Sequence, residues 1–343
     1  MTQTKNIAVV ILNYNGSHYL KKYLPNIIKN SPNATIYVAD NGSTDDSIDY
    51  LTKINAIKII LINKNLGYTG GYNFSLNQLT EKYFVLLNSD IEVTENWLIE
   101  PIALLENNEE IAVCQPKLLD LNNKSKFEYA GAAGGFIDKY GYPFCKGRLF
   151  ETIEEDKGQY NTTEEIFWAS GACLIIKSEI FKKVGGFDEK YFAHMEEIDL
   201  CWRINNIGYK IYYEPKSIVY HLGGGTLNKA NPKKTFLNFR NNLSTVLKNH
   251  HSPFIFYIIF YRLCLDGVAA FKFLLEGYPI LLWQVLKAHF NFYAWLPTLL
   301  KQRKTLKYQT KININKNTLI MYNGNIVWQY FIKKNKTFKQ LKG

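Results

Sequence analysis

Several protein classes can be set aside because the sequence lacks what they need. It has five cysteines, at 114, 145, 173, 201 and 264, with no C-x-x-C pair and an odd total. That argues against a disulfide framework and fits reduced thiols in a cytosolic protein. In the aromatic stretch 253–287 the longest uncharged run, "SPFIFYIIFY", is about half the ~20 residues that a spanning helix needs. Acids are scarce in the last third. Residues 231–343 hold 18 Lys and Arg against two Asp and Glu, a net of +16. Residues 1–230 hold 23 against 28, a net of −5. A basic third on an acidic body points to an anionic partner for that third alone, either nucleic acid or an anionic membrane surface. The opening "MTQTKNIAVVILNYNG" has one Lys and a short β-branched apolar run, so a buried first strand is expected there and not a signal peptide. There is no internal repeat and no low-complexity tract.

What is present suffices for a full core. The 343 residues, 47% hydrophobic and 15% aromatic, suit two domains or one large domain with an appendage. The first ninety residues alternate strand and helix. "IAVVILN", "TIYVAD", "IKIILIN" and "YFVLLNSD" read as apolar strands. "SHYLKKYLPNIIKN", "NGSTDDSIDYL" and "GYTGGYNFSLNQL" read as helices, the second with Ser43 or Thr44 as its cap. Near-continuous apolar strands separated by helices imply a mostly parallel α/β sheet with helices on both faces. Ligands of such sheets bind at the carboxyl ends of the strands. The polar groups Asn13-Tyr14-Asn15, Asp40-Asn41, Asn65-Leu66-Gly67 and Asn88-Ser89-Asp90 all fall there. Further on, "IAVCQPKLL" reads as a strand and "AGAAGGFIDKYGYPF" as a loop. "GYKIYYEP" and "SIVYHLGGGT" read as two more strands.

Each constellation has two readings. Asp90, with Glu92 behind it, could hold a divalent cation shared with phosphate oxygens, or end its strand in an Asx turn. Asp40 could accept from a ribose hydroxyl or base edge, or serve turn chemistry. Gly67, Gly70 and Gly71 could admit a ligand close to the backbone, or form a tight strand-to-helix turn. His221, beside Gly223-Gly224-Gly225, could complete a metal shell or approach a phosphate, or be structural. The stretch "HMEEIDLCWR" places Glu196, Glu197 and Asp199 at the start of a helix. There they could complement the dipole or carry chemistry.

Six motifs occur in one order: "VVILNYNG", "VADNGSTDDS", "NLGYTGGYN", "LLNSD", "GGFDEKYFAHMEEIDLCWR" and "VYHLGGGT". Together, over roughly residues 5–250, they resemble the family 2 inverting glycosyltransferases of GT-A fold, in particular the rhamnosyltransferase-like branch of bacterial surface-polysaccharide synthesis. The resemblance implies a nucleotide-diphospho-sugar donor held by Asn13, Asn15, Asp40, Asn65, Gly67, Gly70, Gly71, Asn73 and Asn88. It implies Mg²⁺ or Mn²⁺ at Asp90, with His221 as a second metal or diphosphate contact. Asn88 stands where the family's Asp-x-Asp motif has its first acid. Glu196-Glu197 lies where the family usually has Glu-Asp, so Glu197 would be the general base, with Glu196 the alternative. Trp168, Ser170 and Gly171 would face the acceptor, Trp168 as a sugar platform or as a core aromatic. Asp199 is expected to pair with Arg203 at i,i+4. The donor would be dTDP-rhamnose or a UDP-hexose, and the acceptor a saccharide, lipid-linked.

The implied organisation is a GT-A domain over 1–250 and a basic, helical, amphipathic appendage over 251–343. In the appendage Arg262, Asp266, Lys272 and Glu276 fall within about 120° of arc at about 100° per residue. A narrow polar stripe on an apolar helix suits a membrane interface, and the surrounding basic residues would attract anionic lipid. The protein is thus expected to be peripheral on the inner face of the cell membrane. The alternative for 253–287 is a core helix of a second domain. Asn323-Gly324 suggests a terminal hairpin. No nucleic-acid partner is expected, since the aromatics follow helical spacing and form no stacking module. Two alternatives carry less. A sugar-nucleotide nucleotidyltransferase would need a basic Gly-rich loop after the first strand. A non-catalytic scaffold would have no use for Asp90, Glu197 and His221 together.

Overall fold

The computed structural model describes residues 5–223, 231–310 and 320–342. Its first half runs β1 (Ile7–Asn13), α1 (Ser17–Asn30), β2 (Thr35–Asp40), α2 (Ser47–Leu51), β3 (Lys58–Leu61), α3 (Gly67–Leu76), β4 (Tyr83–Asn88), β5 (Ile91–Val93), α4 (Ile99–Asn107) and β6 (Ile111–Asp120). Four short strands follow, β7 (Gly135–Ile137), β8 (Pro143–Cys145), β9 (Arg148–Leu149) and β10 (Thr152–Ile153). Next come β11 (Glu164–Ile166), β12 (Cys173–Lys177), α5 (Ser178–Lys183), α6 (Glu196–Asn206) and β13 (Lys210–His221). The chain then turns helical: α7 (Pro232–Asn249), α8 (Ile255–Leu275), α9 (Pro279–Gln309) and α10 (Ile326–Phe331).

The main sheet has the order β11-β13-β6-β12-β4-β1-β2-β3. β4, β1, β2 and β3 pair in parallel, as do β13 and β6, while β12 runs antiparallel between β4 and β6. Side chains of a strand alternate between faces, and both faces here are covered. Ala8, Val10, Phe84 and Leu86 enter one core, and Val9, Ile11, Val85 and Leu87 the other. That double burial is why β1 and β4 read as continuous apolar runs. Each large side chain so buried contributes roughly 1.5–3 kcal/mol.

Four local expectations are corrected. The helix after β2 starts at Ser47 and not at Ser43 or Thr44, because Asp45 accepts from the Ser47 and Ser17 amides and so holds the chain in a loop until then. The Gly-rich stretch after β6 is not a loop: β7 and β8 pair in a small antiparallel sheet. The two strands expected over "GYKIYYEP" and "SIVYHLGGGT" are one strand, β13, which ends at His221 and whose register to β6 shifts between Glu214 and Ile218. Asn323-Gly324 does not fold a hairpin. The Asn325 side chain accepts from the Trp328 amide and caps α10 instead. The terminal segment docks on the body, where Tyr322 bridges to Asp138 and Phe338 packs on Phe136 and Phe144.

α7 packs on α6 and runs along α9. A buried charge network ties these helices together. Asp199 accepts from Arg203 at 2.9 Å, Asn249 at 2.7 Å and Lys248 at 2.8 Å, and Lys248 also reaches Asp188 at 2.9 Å. The expected Asp199–Arg203 pair is therefore present, inside a larger balanced set. Removing one partner of such a set costs about 3–5 kcal/mol.

Candidate active site

The strand ends form one polar rim. At the end of β1, the Asn13 amide donates to Asp40 at 3.0 Å and to Ser43 at 3.1 Å. Asp40, at the end of β2, is buried, and its other oxygen accepts from the Ser43 amide. Asn15 holds a left-handed backbone (φ 51°) and accepts from the Thr44 amide at 2.7 Å. Asn65 accepts from Asn41 and from the Gly67 amide, which closes the turn into α3. The buried Asn13 Oδ1 has no partner. The loop is tightly bonded, and its orphan acceptor faces Gly16, where an added Cβ would stand 2.6 Å from it.

The glycines of "NLGYTGGYN" answer to packing. A Cβ on Gly67 (φ +73°) would stand 2.5 Å from the Phe192 carbonyl oxygen, and one on Gly71 2.7 Å from Leu12. One on Gly70 would meet Leu66 at 2.8 Å. Asn73 is turned away from the rim, since its amide brackets the Phe187 backbone and donates to Glu189.

β4 delivers Asn88 and Asp90 to the same rim. His221, from the end of β13, lies between two carboxylates. Its Nε2 is 3.2 Å from Asp90 and its Nδ1 3.1 Å from Glu128. Asn88 stands 3.4 Å from Nε2. Burial alone would lower the His221 pKa. Glu128 and Asp90 together reverse that and raise it to about 10. Asp90 offers a carboxylate oxygen, and His221, once its proton is given up, an imidazole nitrogen. Two donors of this kind suit a divalent ion that also takes diphosphate oxygens. Among the described residues, no group of three or more His, Cys, Asp or Glu forms a complete protein-only metal site. Glu92 is drawn off to Lys124 at 2.5 Å, and Gly224 and Gly225 lie outside the described residues. Glu128 was not legible as part of this cluster, because it sits in an apparent loop far from His221 in sequence.

The first turn of α6 completes the rim. Gly171, at the mouth of β12, accepts at its carbonyl from the Tyr68 hydroxyl at 2.7 Å, and a Cβ there would lie 3.8 Å from that of Glu197. The Asn88 backbone N–H donates to the Ala172 carbonyl, so Glu197 and the Asn88–Asp90 corner flank the same strand mouth. Glu196 is buried and Glu197 half-buried, and each has a buried Oε2 with no hydrogen-bond partner. Burial raises both pKa values. Glu196 is pushed well above the carboxylate range, also by its neighbour, while Glu197, helped by first-turn amides, stands at about 7. The acceptor residues divide. Trp168 takes the core alternative: it is buried, and its indole donates to the Phe136 carbonyl. Ser170 is also buried, bonded to Gln115, Ala130 and Ala172. Gly171 alone of the three lies beside the carboxylates.

The approach to α6 is strained. Phe192, His194 and Met195 all have φ between 66° and 69°, and non-glycine residues there cost about 1–3 kcal/mol each. Asn241 of α7, fully buried, offsets this by donating to the carbonyls of Tyr191, Ala193 and His194 at 3.1, 3.0 and 2.8 Å. The Tyr68 amide also donates to Phe192 O at 2.7 Å. Asn241 is thus a positioning residue for the two glutamates, one the sequence pattern does not show because it acts on backbone. Asn241→Ala should lower kcat about tenfold or more, with the donor KM within about threefold, because small misplacements of a reacting group are expensive. Initial-rate kinetics checks it, and equal losses in kcat and donor binding would count against the positioning role.

The glycosyl transferase family 2 model matches residues 8–185. An N-acetylglucosaminyl-diphospho-decaprenol L-rhamnosyltransferase of Mycobacterium tuberculosis is 24% identical over 279 residues, 74% of this chain and 84% of that protein. The rhamnosyltransferase WbbL of Escherichia coli is 24% identical over 63% of this chain and 83% of its own length. Among solved structures, the mannosyltransferase PcManGT of Pyrobaculum calidifontis, in complex with GDP-Man and Mn²⁺, superposes with a TM-score of 0.52 at 13% identity, covering 90% of this chain and 86% of that one. GalNAc-T7, with UDP, GalNAc and Mn²⁺, superposes with a TM-score of 0.55 at 17% identity, covering 72% and 48%. The family model takes in just over half of the sequence, the sheet is that of the GT-A fold, and the chain belongs to glycosyl transferase family 2 as a glycosyltransferase.

Proposed function

We propose that this enzyme transfers a sugar, with inversion, from dTDP-rhamnose or a UDP-hexose to a lipid-linked saccharide during cell-surface polysaccharide synthesis. The observation that carries the reading is the glutamate pair in the first turn of α6, each member with a buried Oε2 that has no hydrogen-bond partner, and Glu197 beside Gly171 at the mouth of β12. Burial raises both pKa values, Glu196 the more strongly and Glu197 to about 7, which favours Glu197 as the base. Glu197 takes the proton of the acceptor hydroxyl as that oxygen bonds to the anomeric carbon. The bond from that carbon to the diphosphate breaks, and the nucleoside diphosphate leaves from the opposite face. Asn13, Asn15 and Asp40 form the wall for the nucleoside. Asp90 and His221 are the residues that would hold Mg²⁺ or Mn²⁺, which when bound stabilises negative charge on the departing diphosphate.

The rhamnosyl donor and lipid-linked acceptor draw support from the names of the mycobacterial and E. coli relatives. In this reading residues 1–250 are the transferase domain and 251–343 the appendage that works at the inner membrane surface. Thermal unfolding with nucleotides tests it. A ligand at 100 times its Kd stabilises a fold by about 2.7 kcal/mol, so dTDP or UDP species should raise Tm, more so with Mn²⁺. If no nucleotide moves Tm, the donor reading fails.

A further inference from the structure

The appendage is polarised the wrong way for a protein surface in water. On α8 the buried stripe carries Arg262 and Asp266. Arg262 donates to the Tyr140 carbonyl and to Asn242, and lies 3.4 Å over the Tyr142 ring. Asp266 pairs with His289 of α9 at 3.2 Å. The polar stripe expected to face water is thus turned partly into the body. The outward stripe is apolar: Phe256, Phe260, Val268, Phe271 and Leu275 recur at helical spacing. Across the turn it continues on α9 as Ile280, Trp283, Leu286, Phe290 and Tyr293. The hairpin tip is exposed almost throughout from Phe271 to Ile280. Farther along, α9 shows solvent Lys301, Lys304 and Lys307. Scattered exposed apolar residues are ordinary, but a continuous face of this extent marks a contact surface.

We infer that this face is a docking surface for an anionic lipid bilayer, with the α8–α9 tip set into the headgroup boundary and the lysines of α9 on the phosphates. This deepens the lipid-linked acceptor reading and rests on it for its purpose, though not for its geometry. Charge selects the occupant. The α8–α9 hairpin contains two acids, Asp266 in α8 paired inward and Glu276 at the turn paired with Lys272. A second copy would therefore bring a basic surface with no acidic counterpart, whereas an anionic leaflet supplies one. Among the described residues no helix is long and apolar enough to cross a membrane, and Arg262 and Asp266 are tied to the body. The helices therefore lie in the interface and do not span it.

The test is flotation of the full chain with vesicles of phosphatidylcholine, with and without phosphatidylglycerol. Binding should require phosphatidylglycerol. The combined Phe271→Asp, Leu275→Asp and Trp283→Asp change should cut the bound fraction at least about tenfold, while nucleotide-induced thermal shifts persist. Independently of that variant, brominated phosphatidylcholine in the anionic vesicles should quench Trp283, and the quenching should be lost in Trp283→Phe. Unchanged flotation of the triple variant, or no quenching attributable to Trp283, overturns the inference. So does a dimer that the triple variant dissolves in a chain that ignores vesicles, which would make the face a contact between copies. A chain that binds nucleotide but not vesicles loses the docking inference alone. One that binds vesicles but no nucleotide loses the donor reading alone.

Discussion

Glu197→Gln should lower kcat by about 10²–10⁴-fold, the range a positioned general base contributes, and leave donor binding intact. Glu196→Gln should cost far less, since burial and the neighbouring carboxyl push the Glu196 pKa well above the carboxylate range and disfavour the charged form that a base needs. In the parent enzyme kcat should fall as pH drops below about 7, the pKa of Glu197, and Glu197→Gln should flatten that limb. Stability moves the other way. The folded-state pKa of Glu197 is raised above its ordinary 4.5, so the fold holds more protons than the unfolded chain between those values and loses stability as pH rises through that window. Gln removes this penalty. The variant should therefore melt higher than the parent at pH 8, with the difference closing below pH 4.5. An inactive variant with a lower Tm at pH 8 would point to a structural role for Glu197 instead. Single-turnover kinetics and melting curves at the two pH values decide it.

Much of this site was legible because the strands are buried on both faces. An apolar run such as Ala8–Ile11 announces its own carboxyl end, so Asn13, Asp40 and Asn88 could be placed on one rim before any contact was known. The glutamate pair was legible only through order and resemblance, because acids at a helix start are common. What escaped was long-range. Asn241 grips carbonyls of the 191–194 turn, and Glu128 braces an imidazole that arrives from the far end of β13. Neither contact leaves a periodic mark. Strands of two or three residues, such as β9 and β10, are too short to show alternation. Trp168 and Ser170 lie beside the site in sequence but point into the core, where Gly135 leaves room for the indole. The spacing of Arg262 and Asp266 was legible as a stripe, but not the side it faces, because that depends on Asn242 and His289 waiting beneath it.

Asp90→Ala should abolish the metal-dependent part of donor affinity, about 5–150-fold if a shared cation contributes an ordinary coupling of 1–3 kcal/mol. Affinity without metal should barely change. Titration with UDP or dTDP, with and without Mn²⁺, reads both, and a variant that still gains affinity from Mn²⁺ would remove Asp90 from the site. The pH dependence separates two roles for His221. Its pKa of about 10 means that it carries a proton at neutral pH, and a ligand to a cation must give that proton up. If His221 is a ligand, the gain from Mn²⁺ should grow between pH 6.5 and 9. If it stays charged as a diphosphate contact, the gain should be flat. The same proton sets a stability signature. Its folded pKa is raised above the ordinary 6.5, so the imidazolium's contribution is complete below 6.5 and is lost as pH climbs through about 10. Asp90→Ala should therefore lower Tm most at pH 6, with the loss shrinking toward pH 10, a trend that a simple packing defect at this corner would not produce.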